Sequence, residues 1–196
     1  MPKIGMEQIR REEVISATKR CLAKNGFSKL SVKAIAEEAG VSTGIIYHYF
    51  KNKEDLLLNV IKEAFSRSHE NVMQVVEPLT SERDKLFKHL ESIHAVVVDN
   101  PEFYTVLLNF LGQAPYNDEI KRIMTKFLSN LTSYAGRYLE DGVAHNQFSE
   151  NKIKDLHTLL IALGMGLGIM CTLAPDTFNH EALGESYKEF VRRHVE

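Results

Sequence analysis

Apolar residues recur at three- and four-residue steps along almost the whole chain, and no stretch alternates apolar with polar long enough to make a strand. The pattern predicts an all-α fold of nine helices. A first helix over 10–25 turns Val14, Thr18, Cys21 and Leu22 inward and ends at Gly26. Two short helices follow within 31–57, and a longer one spans 53–76. Beyond it, 82–99 places Leu86, Leu90, Ile93 and Val97 on one stripe. Helices over 102–112, 118–145, 151–173 and 179–195 complete the set. Pro78, Pro101, Pro115 and Pro175 fall where these helices start or stop, as expected of a residue that cannot donate to the helical ladder.

The stretch 31–57, SVKAIAEEAGVSTGIIYHYFKNKEDLL, organises the rest. Ser31 is placed to cap a short helix that buries Val32, Ile35, Ala36 and Ala39 and leaves Lys33, Glu37 and Glu38 to water. Gly40 ends that helix, Val41 plugs the angle, and Ser42 or Thr43 caps the next one. In the second helix Ile46 and Phe50 face inward, while Thr43, Gly44, Tyr47 and His48 point elsewhere as small or hydrogen-bonding groups. That is a helix-turn-helix, with little bulk at the end that enters a major groove and side chains able to reach base edges. Asn52 caps the following helix, whose free amides beside Lys53 would form a phosphate clamp.

The run AxxAGVSxGxxYxYFxxKEDLL resembles the DNA-binding domain of the TetR family of bacterial transcriptional regulators. Met1 to Met6, Ile9-Arg10-Arg11 and the segment from Gly40 to Ile46 are most similar to its BetI-like branch. The resemblance covers about Ile9 to Leu58 and fades beyond. It implies a repressor that binds a palindromic double-stranded operator and is released by a small molecule. By the motif, Thr43 and Tyr47 would read bases, with Gly44 permitting approach. Lys33, Tyr49 and Lys53 would hold phosphates, and His48 could serve either task. Lys3, Arg10 and Arg11 are candidates for a backbone-touching arm. The family also pairs its last two long helices across a homodimer, which assigns 151–173 and 179–195 to that interface.

Composition sharpens the division. The whole chain carries a net charge of −2, against a general nucleic-acid coat. Residues 1–55 hold ten Lys and Arg against seven Asp and Glu, whereas 56–196 hold fourteen against nineteen. The positive part is the part with the motif, so the expected domains are a DNA-binding domain over 1–55 and an effector-binding and dimerisation domain over 56–196. Two distant cysteines in apolar helical patterns, with no signal peptide, point to the cytoplasm.

The second domain needs a ligand cavity. His94, Tyr104, Phe110, Phe127 and Tyr134 are candidate lining residues for a largely apolar effector. A quaternary ammonium such as choline, suggested by the BetI-like resemblance, is the less favoured ligand because the chain has no tryptophan, the best cation–π face. Residues 158–174 contain no charge and include Gly164, Gly166 and Gly168. A bilayer crossing takes about 20 apolar residues, so this glycine-broken run reads as a helix covered on one face by its own core and on the other by a second subunit.

An enzyme is not expected: no GxSxG elbow, HExxH pair or phosphate-binding glycine loop occurs. No cofactor and no resident metal are expected either. The competing readings are a helical adaptor or a metal sensor in which the DNA-binding domain is idle.

Overall fold

The computed structural model describes residues 6–150 and 155–195, which excludes the arm candidate Lys3 and the expected helix start at Asn151. Among the described residues there are nine α-helices and no strand. They are α1 (Met6–Asn25), α2 (Val32–Ala39), α3 (Thr43–Tyr49), α4 (Lys53–Val76), α5 (Glu82–Asp99), α6 (Pro101–Leu111), α7 (Asp118–Ala144), α8 (Leu156–Leu173) and α9 (His180–Val195). The first helix begins four residues before the expected position. Residues 7–10 of its opening are exposed, Ile9 included, so they add nothing to a buried stripe, and the Gln8 amide donates to the Glu12 carboxylate at 3.1 Å.

By contacts the chain forms two compact units. One contains the residues up to Phe65 together with Thr105–Ile123; the other contains Ser66–Tyr104 and everything from Met124 onward. The expected division at 55/56 follows the sequence motif, whereas the contact boundary falls inside α4.

The first unit is shaped by its caps. The Ser31 hydroxyl accepts from the Ala34 amide at 3.1 Å, and Gly40 closes α2 in the left-handed region, at φ 66° and ψ 30°. The Ser42 hydroxyl accepts from the Ile45 amide at 3.3 Å and starts α3. Asn52 caps α4 by accepting from the Asp55 amide at 2.8 Å, while the Asp55 carboxylate accepts from the Lys51 amide at 2.9 Å. Val14, Ile15, Leu22, Ile35, Ile46, Phe50 and Leu56 pack beneath, each almost wholly buried. Burial of such a side chain stabilises by roughly 1.5–3 kcal/mol. Arg20 at 2.7 Å and Lys24 at 3.0 Å both bind the Glu38 carboxylate, tie α1 to α2 and hold that carboxyl below its usual range. The segment Thr105–Ile123 belongs to the same unit: Phe110, fully buried, meets Phe27 edge-on at 5.2 Å, and Asn117 donates to Glu54 at 2.7 Å.

In the second unit, Val72, Val76, Leu86, Leu90, Leu139, Leu160, Tyr187 and Val191 form one buried cluster drawn from α4, α5, α7, α8 and α9. Close approach between helices depends on Gly168 and Gly184. A Cβ on Gly168 would stand 2.1 Å from the Tyr104 ring, and one on Gly184 would stand 2.5 Å from the His94 ring. The helix α8 is long and apolar enough to cross a membrane by length and composition, with a mean hydropathy of 1.9. It is nevertheless built into this core: Leu156, Leu160, Ile161, Gly164, Gly168 and Cys171 are buried, and Tyr187 of α9 donates to the Leu160 carbonyl at 2.5 Å.

Candidate nucleic-acid interface and effector cavity

α3 has seven residues and two distinct faces. Ile46 is 1 % exposed and the C-capping Phe50 is 2 % exposed, which fixes the helix on the unit's core. Thr43, Gly44, Tyr47 and His48 are exposed together on the other side, with Tyr47 at 54 %. An aromatic ring so open to water at the centre of a short helix is more than this fold needs, and its neighbours leave it room. Tyr49 is half-buried with its ring edge-on to His48 at 5.0 Å, and His48 Nε2 lies 3.8 Å from the Glu7 carboxylate of α1.

The flanking cations are placed differently from one another. Lys33 is 83 % exposed and only loosely paired with Glu37 at 4.0 Å. Lys53 is half-buried and its ammonium donates to the Leu30 carbonyl. The start of α4 is also less open to an anion than its sequence suggests. Asn52 occupies the Asp55 amide, and Glu54 and Asp55 place two carboxylates in the first turn. Of the arm candidates, Arg10 is exposed, whereas Arg11 donates to Asn59 at 2.5 Å and lies over the Phe50 ring.

A cavity of about 390 Å³ opens in the second unit among His69, Met73 and Val76 of α4, Glu77 just after it, Glu82 and Lys85 of α5, and Tyr134, Arg137, Tyr138 and Asp141 of α7. Its size falls within the usual range for small-molecule sites. His69 Nε2 and the Tyr134 hydroxyl are 3.2 Å apart, and the Arg137 guanidinium covers the Tyr134 ring at 4.6 Å. Glu82, 8 % exposed, is bound by Lys85 at 2.6 Å.

Of the five residues expected to line a cavity, Tyr134 does so. His94 packs instead on Gly184 of α9 and stacks with His180 at 6.0 Å. Tyr104 is 2 % exposed against Gly168, and Phe127 stands 6.3 Å from Phe103. Phe110 belongs to the first unit. Sequence reasoning missed His69, Tyr138 and Arg137, and with them His89 behind the wall. Their helical spacing was visible, but the partner of each stripe was not. Among the described residues no three metal-ligating side chains come together.

Comparison with known proteins gives these features a context. Residues 14–60 match the family described as bacterial regulatory proteins, tetR family, and residues 82–196 match BetI-type transcriptional repressor, C-terminal. The HTH-type transcriptional regulator BetI of Brucella melitensis is 27 % identical over 190 residues, 95 % of this chain and 93 % of that protein. A TetR transcription regulator from Haloarcula marismortui shares the fold with a TM-score of 0.87 at 21 % identity, over 96 % of this chain and 100 % of the other. So does a putative transcriptional regulator from Saccharomonospora viridis in complex with choline, with a TM-score of 0.87 at 18 % identity, over 96 % and 98 %. FadR from Bacillus subtilis in complex with stearoyl-CoA follows with a TM-score of 0.80 at 21 % identity, over 94 % and 99 %. With both family descriptions matched in order and the second covering more than half of the sequence, the chain belongs to the TetR family and is a DNA-binding transcriptional regulator of the BetI repressor type.

Proposed function

We propose that two copies of the chain repress transcription by holding a palindromic operator between their α3 helices, and that a small molecule entering the cavity releases them. The observation that carries this reading is the exposed Thr43, Gly44, Tyr47 and His48 face on a helix locked from behind by Ile46 and Phe50. Thr43 and Tyr47 read base edges, Gly44 lets the backbone approach, and His48 and Tyr49 reach bases or phosphates at the rim. Lys33 binds a phosphate. Lys53 reaches one only after leaving the Leu30 carbonyl, which makes it the weaker of the two contacts.

Pairing is supported by the bare side of α8. Leu159, Leu163, Met170 and Leu173 are exposed there, and Gly166 has nothing within 4 Å of its missing Cβ. These five positions follow each other at steps of four, three, four and three, the spacing of a two-helix seam. With α9 beside it, α8 forms a self-complementary surface for a two-fold dimer, and the dimer sets the separation of the two α3 helices at about one turn of DNA, roughly 34 Å. Operation in the cytoplasm follows from this role.

The cavity suits a compact effector more than a long acyl chain with its carrier. Choline, named with the Saccharomonospora protein, is the second reading, favoured by the rings of Tyr134 and Tyr138. Arg137 already covers the first of these rings, and an isothermal titration without heat from choline removes that reading. The function is tested by salt-dependent retardation of operator DNA. Retardation that Tyr47→Ala leaves intact, on operator and random DNA alike, would refute the assignment of the reading face.

A further inference from the structure

His89 continues the α5 stripe that lines the cavity, four residues after Lys85 and seven after Glu82. It is 2 % exposed, and among the described residues neither of its ring nitrogens has a hydrogen-bond partner. Its ring meets that of Tyr138 edge-on at 5.6 Å, and Tyr138 is cavity wall. Among the described residues the Tyr138 hydroxyl reaches the Met73 thioether alone, at 3.9 Å, a weak acceptor. His69, another wall residue, is near enough for its charge to act on His89. An imidazole unpaired at both nitrogens therefore lies directly behind a wall residue whose phenol is underused. Buried polar groups without partners cost stability and are rare, so two on one ring call for an explanation.

The charges around the cavity say what kind of group would answer it. Lys85 already neutralises the buried Glu82, Arg137 lies on Tyr134, and Glu77 and Asp141 are exposed at the rim. An entering cation finds no free buried carboxylate. An anion would need a protonated His89, yet burial pushes that imidazole down to about 4. A neutral imidazole offers one donor and one acceptor, which fits a group that can both donate and accept.

We propose that the effector carries an uncharged polar head, a hydroxyl or a primary amide, which passes Tyr138 to bond His89 while its apolar body lies against Met73, Val76 and Tyr134. This rests on the reading of the cavity as the effector site. The test titrates the full chain at pH 7.5 with three probes of one shape: benzyl alcohol, benzyltrimethylammonium and benzoate. Benzyl alcohol should bind at least tenfold more tightly than either charged probe. His89→Leu should weaken it at least tenfold while keeping or raising the melting temperature, because an apolar side chain removes the two unpaired nitrogens. In wild-type chain labelled with ¹⁵N-histidine, benzyl alcohol should shift the resonances of one neutral imidazole, a readout independent of how the variant folds. Equal or tighter binding of a charged probe, lost in Tyr134→Ala, overturns this inference and leaves the cavity as the effector site. Benzyl alcohol affinity unchanged in His89→Leu, or an unmoved histidine spectrum, overturns it as well. No heat from any probe removes the cavity as the effector site and the inference together.

Discussion

Gly40 shows how much one residue decides in the reading head. It turns the chain from α2 into α3 at φ 66°, and a Cβ there would meet nothing within 4 Å. The cost of a side chain is therefore one of backbone conformation alone. Gly40→Ala should lower the free energy of unfolding by about 1–2 kcal/mol in urea titration. On the reading face, Thr43→Ala should change which bases are preferred. Lys33→Ala should weaken binding to every sequence and reduce the salt slope by about one. Retardation of operator and random DNA across a salt series separates the two outcomes. The caps Ser31, Ser42 and Asn52 were legible in the sequence because a cap acts within three residues. The hold of Leu30 on Lys53 was not, since it links side chain and carbonyl 23 positions apart.

At the scale of the element, α5 carries two histidines five residues apart that leave it in different directions. His89 turns to Tyr138 of α7, and His94 to Gly184 of α9. Burial lowers the proton affinity of both, and that of His89 falls from 6.5 to about 4. Between those values the unfolded chain binds the proton and the folded chain does not, so stability present above pH 6.5 is lost as the pH falls toward 4. A shift of that size corresponds to about 3 kcal/mol. Urea unfolding at pH 7.5, 5.5 and 4.5 should show this loss in the wild type and a shallower one in His89→Leu. In α8, Gly168→Ala should destabilise by roughly 1–3 kcal/mol because the Tyr104 ring already occupies the space. The stripes of all these helices could be read from three- and four-residue spacing. Which stripe faces which is a property of the assembled unit, and for that reason Tyr134 was found while His69 and Tyr138 were not.

For the whole molecule, the decisive surface is the exposed seam of α8. Its apolar composition was legible, and so was the burial of one face in its own core. The structure supplies the cover on one side, from α5 and α9, and leaves Leu159, Leu163, Met170 and Leu173 bare. On the proposed pairing, Leu163→Glu should convert the dimer to monomer in light scattering and leave helicity unchanged, because this side chain is 42 % exposed within the subunit. Operator affinity should fall with it. The domain motif at the amino-terminal end was legible from local chemistry, but the inclusion of Thr105–Ile123 in the same unit was not, since the Phe27 to Phe110 pairing joins two halves of the chain far apart in sequence.

The bare seam has a further consequence for dosage. Under the proposed pairing, a subunit that must find its twin before it can grip DNA controls its target with the square of its abundance when scarce, so halving its synthesis would cut occupancy well below half. Unpaired subunits would also show proteases and aggregation partners the very leucines that pairing hides.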